Sequence, residues 1–581
     1  MRPVNPALSL KLPIARARVL LSLLLLGFAL LVGRALHLQV LQNDFLQRKG
    51  ESRYARLLEM PAHRGMITDR HGEPLAISAP VESVWASPAE VEATPAQRRQ
   101  LARVLNMSEA ELNKRLSGSG REFVYLKRHL RPDVAARLVQ LGIAGVSLKR
   151  EHRRYYPAGE VTAHLLGFTD VDDRGQEGME LAYDDWLAGK PGSRRVIKDR
   201  LGRVVEDTER VLAPIEGRDV ALSIDRKLQY LAYRELKAAA AEHRAKAGAI
   251  VVLDVKSGEV LALANVPAYN PNNRSRRDAA RARNRAITDL FEPGSTLKPF
   301  TIAAALEARL IRPESTVQTA PGYLLVGNAR IDDIHPAEAL TVSELIQRSS
   351  NVGVAKLALA LPRRQLWSVL SRAGFGAPPH SGFPGEVGGR LRDYQRWRPI
   401  EQATLSYGHG ISVSLLQLAR AYTVFAGDGT LQPITLLKSS DAPGAATRVI
   451  SPGTARAVRA MLETVVHPGG TAVRARVPGY RVAGKTGTAH KVQGNAYAPD
   501  RYVSSFVGMA PASDPRLLVA VMIDEPDNGD YYGGVVAAPV FSAVMAEALR
   551  ILSVPPDAPA TLTEPGEWQP GAPAPEVREE V

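Results

Sequence analysis

Apolar, β-rich runs stand at both ends of the long C-terminal part of the chain, and their spacing limits the folds it can adopt. Residues 249–255 and 259–264 are separated by a loop of hairpin length. Similar runs follow far downstream at 503–510 and 517–524, with a shorter one at 480–483. The residues between these ends are mostly helical in pattern. The sequence therefore predicts an antiparallel sheet built from both ends of one domain around a helical block, an α+β arrangement.

This C-terminal domain is predicted to span residues 218–552. It opens with a short strand at 221–225 that leads into an amphipathic helix at 228–241. Residues 45–217 carry many charges and turn signals, and they are predicted to form a strand-rich pedestal with helical insertions at 94–105 and 132–141.

Two flanking segments differ from these domains in composition. Residues 553–581 are rich in Pro, Ala and Glu and are predicted to be a disordered tail. Residues 19–41 are predicted to be a single transmembrane anchor, because 19–33 is a charge-free apolar run that the following residues extend. Arg2, Lys11, Arg16 and Arg18 precede it.

Those basic residues favour a cytoplasmic tail at 1–18 and export of the remaining chain. The expected location is the inner membrane, with the catalytic domain in the periplasm. A cleaved signal peptide that ends near Gly33-Arg34-Ala35 is the alternative.

Composition excludes several classes of function. Lys and Arg exceed Asp and Glu by 74 to 60, but they are scattered and accompany no nucleic-acid motif, so no nucleic-acid partner is expected. The absence of cysteine excludes thiol catalysis, Cys-ligated zinc and disulfides. The 12 histidines form no HExxH motif or clustered ligand set, so we expect neither a metal nor a cofactor.

A serine and a lysine three residues apart form the strongest chemical signal. Pro293-Gly294 precedes Ser295 and Pro299 follows Lys298, which places the start of a helix at about Ser295. Residues three apart share a helix face, so the Lys298 amine can approach the Ser295 hydroxyl and remove its proton if the amine is neutral. An Ser-x-x-Lys spacing alone also occurs by chance at exposed helix starts.

Two further motifs make a chance occurrence of the Ser-x-x-Lys spacing much less credible. Ser349-Ser350-Asn351 is predicted to form a short loop between helices at 342–348 and 354–361. Lys485-Thr486-Gly487-Thr488 follows the predicted strand at 480–483, and Gly487 lacks the Cβ that would block a substrate along the strand edge. Either motif alone would be uninformative.

The three motifs together resemble the signature of the penicillin-recognising serine enzymes. The similarity runs from the anchor to about residue 552 and is greatest to the cell-division branch of the class B penicillin-binding proteins. Pedestal segments that begin at Arg64, Arg154, Asp170 and Gly178 add to it.

The resemblance implies a peptidoglycan D,D-transpeptidase that acts in septal wall synthesis. Ser295 would attack the peptide bond between the terminal D-alanines of a stem pentapeptide, with Lys298 as the base. Ser349 and Lys485 would relay the proton to the leaving amine, and Asn351 would hold Lys298 and the substrate amide. β-Lactam antibiotics would acylate Ser295.

Substrate contacts and partners are implied in the same way. Thr486, Gly487 and Thr488 would bind the substrate end, and the backbone N–H groups of Ser295 and Thr488 would form the oxyanion hole. The implied protein partners are the glycan polymerase FtsW and other membrane proteins of the division complex.

Aromatic residues are expected to complete the cleft. Tyr407 and Tyr532 are predicted to form part of its wall, with core packing as the alternative. His409 and His490 stand where the nearest relatives are expected to carry tyrosine and arginine, which leaves open substrate preference and a specialised second copy of the division enzyme.

Rival functions remain to be separated. A β-lactamase needs a group that activates water, and the nearest candidate segment, 401–406, ends in serine instead. A D,D-carboxypeptidase shares all three motifs. A non-catalytic β-lactam sensor or division scaffold is disfavoured by the intact Ser295, Lys298 and Lys485.

Overall fold

A computed structural model describes residues 13–38, 55–117, 123–198, 204–273, 279–439, 444–494 and 496–558. The chain divides into two compact units that alternate along the sequence. The first contains residues up to Ala62, Pro80–Glu151 and Lys190–Glu216, and the second contains His63–Ala79, His152–Gly189 and everything from Gly217. This interleaved division differs from the contiguous boundaries expected from composition, which stay a prediction.

The first unit contains the membrane-type helix and a small core. Its helices are Ile14–Leu36, Pro95–Leu105, Glu109–Leu116 and Pro132–Val139. Strands Ala55–Met60, Gly192–Lys198 and Val204–Leu212 form a three-stranded sheet in that order. Val124–Leu130 pairs antiparallel with the end of Pro74–Ala86, and Val146–Tyr155 pairs with the same strand.

Sequence accounts for these elements. Helix Pro95–Leu105 begins where predicted because Thr94 and Gln97 form a capping box, and it ends at Asn106 in the left-handed conformation. Ile14–Leu36 is 23 residues long with a mean hydropathy of 2.4 and buries none of its apolar window in protein, so it has the length and surface of a membrane span.

The second unit is built on a five-stranded antiparallel sheet. Its strand order is Val260–Val266, Ala247–Asp254, Leu517–Asp524, Ala496–Ala510 and Ala483–Gln493, so the predicted sheet from both ends of the domain is present. Every residue of the two strands at the N-terminal end is buried. Both sheet faces are therefore covered by helices.

Helices supply most of the rest of this unit. The longer ones are Arg226–Glu242, Lys298–Glu307, Asn351–Ala360, Arg363–Arg372, Leu415–Ala426, Pro452–Glu463 and Ala538–Ile551, and the shorter ones are Ala163–Leu166, Gly178–Ala182, Asp184–Leu187, Ala279–Ala282, Arg285–Thr288, Val342–Gln347, Pro399–Leu405 and Gly533–Val536. Short strands are Ile67–Thr68, Val220–Ala221, Thr316–Gln318, Tyr323–Val326, Ala329–Asp332, Ala339–Thr341, Thr430–Leu431 and Thr447–Arg448. Half of the apolar window in the segment Gly533–Ile551 is buried, as expected of a core helix.

Three charged residues from the pedestal segments that carry the family resemblance form a buried ion-pair network. Arg64 Nε donates to Glu180 Oε2 at 2.9 Å, and Arg154 Nε donates to Glu180 Oε1 at 2.6 Å. All three side chains are at most 2% exposed. Such charges are tolerated in a core only when they pair, so removal of one partner would strand the others.

Several predicted boundaries were wrong. The strand expected at 221–225 is limited to Val220–Ala221, because Asp225 already caps the next helix by accepting from Lys227 N and Leu228 N. Residues 553–558, assigned to the tail, are ordered: Asp557 accepts hydrogen bonds from Arg481 N at 2.7 Å and Ser513 Oγ at 2.7 Å. The rest of the predicted tail lies outside the described residues.

Candidate active site

Ser295 lies on a 3₁₀ turn, Gly294–Leu297, which continues directly into the helix Lys298–Glu307. The α-helix thus starts three residues later than predicted, because Gly294 has a φ of +54° and the first turn is tightened. The buried Tyr422 hydroxyl stabilises this turn by donating a hydrogen bond to Thr296 O at 2.6 Å. Ser295 remains partly accessible, whereas Lys298 is fully buried.

The hydroxyl of Ser349 is the centre of the polar cluster. Ser349 Oγ donates to Ser295 Oγ at 3.0 Å, and it accepts from Lys298 Nζ at 3.0 Å and from Lys485 Nζ at 3.0 Å. The four residues come from three segments of the chain, and the structure brings them into one hydrogen-bonded group.

Two buried amines on one hydroxyl have an electrostatic consequence. Lys298 and Lys485 are both fully buried, and their Nζ atoms cannot be further apart than the two 3.0 Å bonds to Ser349 Oγ allow. Like charges at that separation in a low-dielectric site repel strongly. The arrangement therefore favours a neutral amine on one lysine, which is the form that can accept a proton.

Asp333 holds the Ser-x-Asn segment in place and was missed by the sequence analysis. Its Oδ1 accepts from Asn351 N at 2.5 Å and Val352 N at 2.9 Å, and its Oδ2 accepts from Ser350 Oγ at 2.5 Å. A carboxylate at the N-terminus of the helix Asn351–Ala360 is favoured by the exposed N–H groups and the helix dipole. Asp333 lies outside the Ser349-Ser350-Asn351 motif, so the sequence did not connect it with that segment.

Asn351 is the first residue of that helix rather than part of the loop predicted for it. Its side-chain Nδ2 donates to Asp332 O at 3.2 Å. This bond ties the Ser-x-Asn segment to the end of the strand Ala329–Asp332. The expected contact between Asn351 and Lys298 stays a prediction.

Lys485 to Thr488 lie on the edge strand Ala483–Gln493 itself, not after it, so the earlier boundary was wrong. Thr486 Oγ1 receives a bond from Lys485 Nζ at 3.1 Å and pairs with Thr471 Oγ1 at 2.9 Å. Thr488 Oγ1 accepts from Gly533 N at 3.1 Å. Hydrogen bonds to Thr471 and Gly533 therefore hold the motif residues of this strand in place.

Contacts within the protein itself also require glycine at position 487. A Cβ there would lie 2.4 Å from Ser505 Oγ and 2.9 Å from Pro293 O. The missing side chain therefore lets the nucleophile turn approach the strand, rather than making room only for substrate.

The two predicted wall tyrosines are placed differently. Tyr407 is 8% exposed and packs among Ile331, Ala355 and Ala403, so most of its ring belongs to the core, and burial raises its pKa to about 12. Tyr532 lies 4.4 Å from the ring of Tyr531, and their hydroxyls are 3.0 Å apart.

An aromatic row continues from Tyr531 across the hairpin. Tyr531 stacks on Tyr502 with ring centroids 4.0 Å apart, and Tyr502 contacts His490 at 4.6 Å. His490 is followed by Tyr497 at 6.4 Å and then His409 at 5.8 Å. Tyr497 was not among the predicted site residues. It lies in a hairpin with charged residues, and no sequence motif there indicates a site.

Comparison with known proteins gives the arrangement a family. Residues 248–546 match the penicillin binding protein transpeptidase domain, and residues 59–222 match the penicillin-binding protein dimerisation domain. The chain is 44% identical over 552 residues to peptidoglycan D,D-transpeptidase FtsI of Escherichia coli K12, covering 94% of this chain and 93% of that one. It is 44% identical to a probable peptidoglycan D,D-transpeptidase PenA of Neisseria gonorrhoeae, with 92% of each chain covered.

Solved structures agree. The transpeptidase domain of penicillin-binding protein 3 from Burkholderia pseudomallei is 50% identical and covers 58% of this chain and 98% of its own, with a TM-score of 0.54. A peptidoglycan synthetase from Bifidobacterium adolescentis covers 87% of this chain and 98% of its own at 26% identity, with a TM-score of 0.70. The chain therefore belongs to the class B penicillin-binding proteins, the peptidoglycan D,D-transpeptidases of the FtsI and PenA group.

Proposed function

We propose that Ser295 is the acylated nucleophile and that this enzyme cross-links stem peptides during septal wall synthesis. The observation that carries the assignment is the Ser349 hydroxyl, bonded at 3.0 Å to Ser295 Oγ and to the amines of Lys298 and Lys485. A hydroxyl connected to two buried amines has both a base and a proton relay within reach.

In the first half-reaction, Ser295 Oγ attacks the carbonyl carbon between the two terminal D-alanines. Its proton passes to the neutral amine of Lys298 as the new C–O bond forms. The C–N bond then breaks, and Ser349 with Lys485 delivers a proton to the departing D-alanine nitrogen. The products are an acyl-enzyme ester and one free D-alanine.

Charge that develops on the carbonyl oxygen is assigned to the backbone N–H groups of Ser295 and Thr488. An oxyanion hole of this kind lowers a barrier by about 3 kcal/mol. The terminal carboxylate is assigned to the hydroxyls of Thr486 and Thr488 beside the Lys485 amine. Support comes from the Thr486 hydroxyl, which the Lys485 amine already meets at 3.1 Å.

In the second half-reaction, an amine of a neighbouring stem peptide attacks the ester and regenerates the Ser295 hydroxyl. Water in place of that amine would make the enzyme a D,D-carboxypeptidase. A thioester donor offered together with a D-amino acid separates these outcomes. Transfer to the amino acid is expected, and hydrolysis alone, even with the polymerase partner present, would favour the carboxypeptidase.

We also propose the arrangement in the cell. Arg2, Lys11, Arg16 and Arg18, which precede the apolar run 19–33, favour a cytoplasmic N-terminus, an anchor in the inner membrane and a periplasmic catalytic domain. The proposed partners are the glycan polymerase FtsW and other membrane proteins of the division complex. The proposed domain limits are 45–217 for the pedestal and 218–552 for the transpeptidase domain.

The nucleophile is tested with Ser295→Ala in the full chain in detergent. The variant should lose all covalent labelling by a fluorescent penicillin, with little change in Tm because Ser295 is partly exposed and alanine fits its turn. Mass spectrometry of the native chain should place the adduct on Ser295. The control Ser371→Ala should label normally, and an adduct on any other residue would disprove the assignment.

A further inference from the structure

Glu292 lies three residues before Ser295 and carries a carboxylate with unusual partners. Its Oε1 accepts from Gly410 N at 2.8 Å, and its Oε2 accepts from the Tyr497 hydroxyl at 3.0 Å. Within the described part of the chain, these two groups are its hydrogen-bond partners and no cationic side chain forms an ion pair with it. Burial raises the pKa of this carboxyl group. A carboxylate that is half-buried without a counter-charge is a natural acceptor for a cation.

The groups around Glu292 suit a cation as well. Tyr497 is 48% exposed, and the centroid of the His409 ring lies 5.8 Å from that of the Tyr497 ring. Burial lowers the pKa of His409 to about 4, so its imidazole is neutral at neutral pH. An aromatic face beside a carboxylate attracts an ammonium, and a neutral imidazole does not repel it.

The position along the edge strand indicates which part of a substrate would meet Glu292. A Cβ on Gly294 would lie 3.2 Å from Thr488 O, so the Ser295 turn abuts the strand at Thr488. His490 lies two residues further on, and its ring is 6.4 Å from Tyr497. The Glu292 group is therefore on the side of Thr488 opposite to Lys485 and Thr486. This inference rests on the proposed function, which assigns the departing D-alanine carboxylate to the hydroxyls of Thr486 and Thr488 beside Lys485. The end of the strand beyond Thr488 then faces the donor residues that precede the scissile bond.

Cross-linking chemistry supplies a cation at that place. Because the acceptor in the second half-reaction is an amine on a neighbouring stem, each uncross-linked stem carries a free side-chain amine. A donor that has not yet been used as an acceptor therefore still bears an ammonium ahead of its D-alanines. We propose that Glu292, with Tyr497 and His409, binds the side-chain ammonium of the donor stem.

The test compares two donors that differ only in that charge. Nα-acetyl-L-lysyl-D-alanyl thioester keeps its ε-ammonium, and the Nα,Nε-diacetyl form has lost it. The ratio of their kcat/KM values is measured with full-length enzyme and D-alanine as the fixed acceptor. The native chain should prefer the free ammonium about tenfold, as expected for one charge-assisted contact. Glu292→Gln should bring the ratio near one, whereas the exposed control Glu314→Gln should keep the native ratio.

The outcomes separate this inference from the proposed function. Loss of penicillin labelling in the native chain would overturn the Ser295 assignment, whatever the donor ratio. Normal labelling with an unchanged ratio in Glu292→Gln would overturn the ammonium site alone. An equal loss on both donors would show that Glu292 only supports the turn before Ser295. In a second series that varies D-alanine at a fixed donor concentration, a change in Glu292→Gln confined to the KM of D-alanine would overturn the donor assignment.

Discussion

Ser349 has a backbone φ of +63°, in the left-handed region that residues other than glycine rarely adopt. The three hydrogen bonds that Asp333 accepts from Ser350, Asn351 and Val352 account for it, since they fix the residues on its C-terminal side. The sequence identified Ser349 from its motif. It could not identify Asp333, because only the folded path of the chain brings that carboxylate to the loop.

Asp333→Asn should therefore weaken both fold and acylation. Asparagine keeps one acceptor oxygen but points an N–H group at a donor, and a buried bond to a charged group contributes about 1.5–3 kcal/mol. We expect a loss of about 2 kcal/mol in unfolding free energy and at least a tenfold slower penicillin acylation, as Ser349 loses its fixed position. Urea unfolding and stopped-flow labelling measure the two effects.

The matched control is the neighbouring residue. The Asp332 side chain is 55% exposed and pairs with Arg330, while the bond to Asn351 uses its backbone oxygen. Asp332→Asn should leave the acylation rate within twofold of the native value, since exposed pairs contribute little. Equal effects of the two variants would refute the specific role of Asp333.

At the scale of elements, the turn that carries Ser295 and the strand that carries Lys485 meet at one glycine. Sequence predicted a helix start at about Ser295 and a strand at 480–483, but Ser295 lies on a 3₁₀ turn and Lys485 lies on the strand Ala483–Gln493. It did not reveal that packing also requires glycine at position 487, since the nearby Ser505 and Pro293 belong to segments far away in the chain. Local pattern predicts an element, whereas close approach between elements depends on packing.

Gly487→Ala tests that contact. The added Cβ would lie 2.9 Å from Pro293 O and 2.4 Å from Ser505 Oγ, so the turn must move away from the strand. We expect penicillin acylation to fall by about two orders of magnitude, because misplacement by an ångström costs that much in rate. The unfolding free energy should fall by about 1–3 kcal/mol.

A second glycine provides a control, because its replacement by alanine is expected to raise the unfolding free energy rather than lower it. A Cβ on Gly453 meets nothing within 4 Å, and the residue lies in the helix Pro452–Glu463. Gly453→Ala should raise stability by about 0.5–1 kcal/mol and leave acylation unchanged. Normal acylation in Gly487→Ala would show that the turn and strand do not need their close approach.

At the scale of the whole molecule, sequence predicted the membrane helix and the sheet closed by both ends of the C-terminal domain. Both predictions depend on apolar runs, which can be recognised from the local sequence alone. The alternation of the two units along the chain was not predicted, because His63–Ala79 joins the second unit through long-range pairs: the strand pairing of Ile67–Thr68 with Val220–Ala221 and the Arg64–Glu180 ion pair. Such pairs leave no periodic signal.

A buried histidine makes the stability of the second unit depend on pH. His164 is 5% exposed, its Nε2 is hydrogen-bonded to Arg281 O at 2.8 Å, and burial lowers its pKa to about 4 from 6.5. The unfolded chain therefore gains a proton near pH 6.5, while the folded chain stays neutral down to about pH 4. Stability is fully present above pH 6.5 and is lost as the pH falls towards 4, with about 2 kcal/mol gone at pH 5.

His164→Gln isolates this contribution, because glutamine does not titrate. Urea unfolding of the full chain at pH 7 and pH 5 should show a smaller loss between the two values in His164→Gln than in the native chain, by about 2 kcal/mol. The exposed His335→Gln should lose as much as the native chain. If His164→Gln lost the same stability as the native chain, the unfolded and folded states would have to bind that proton equally, and His164 would be protonated in its buried position.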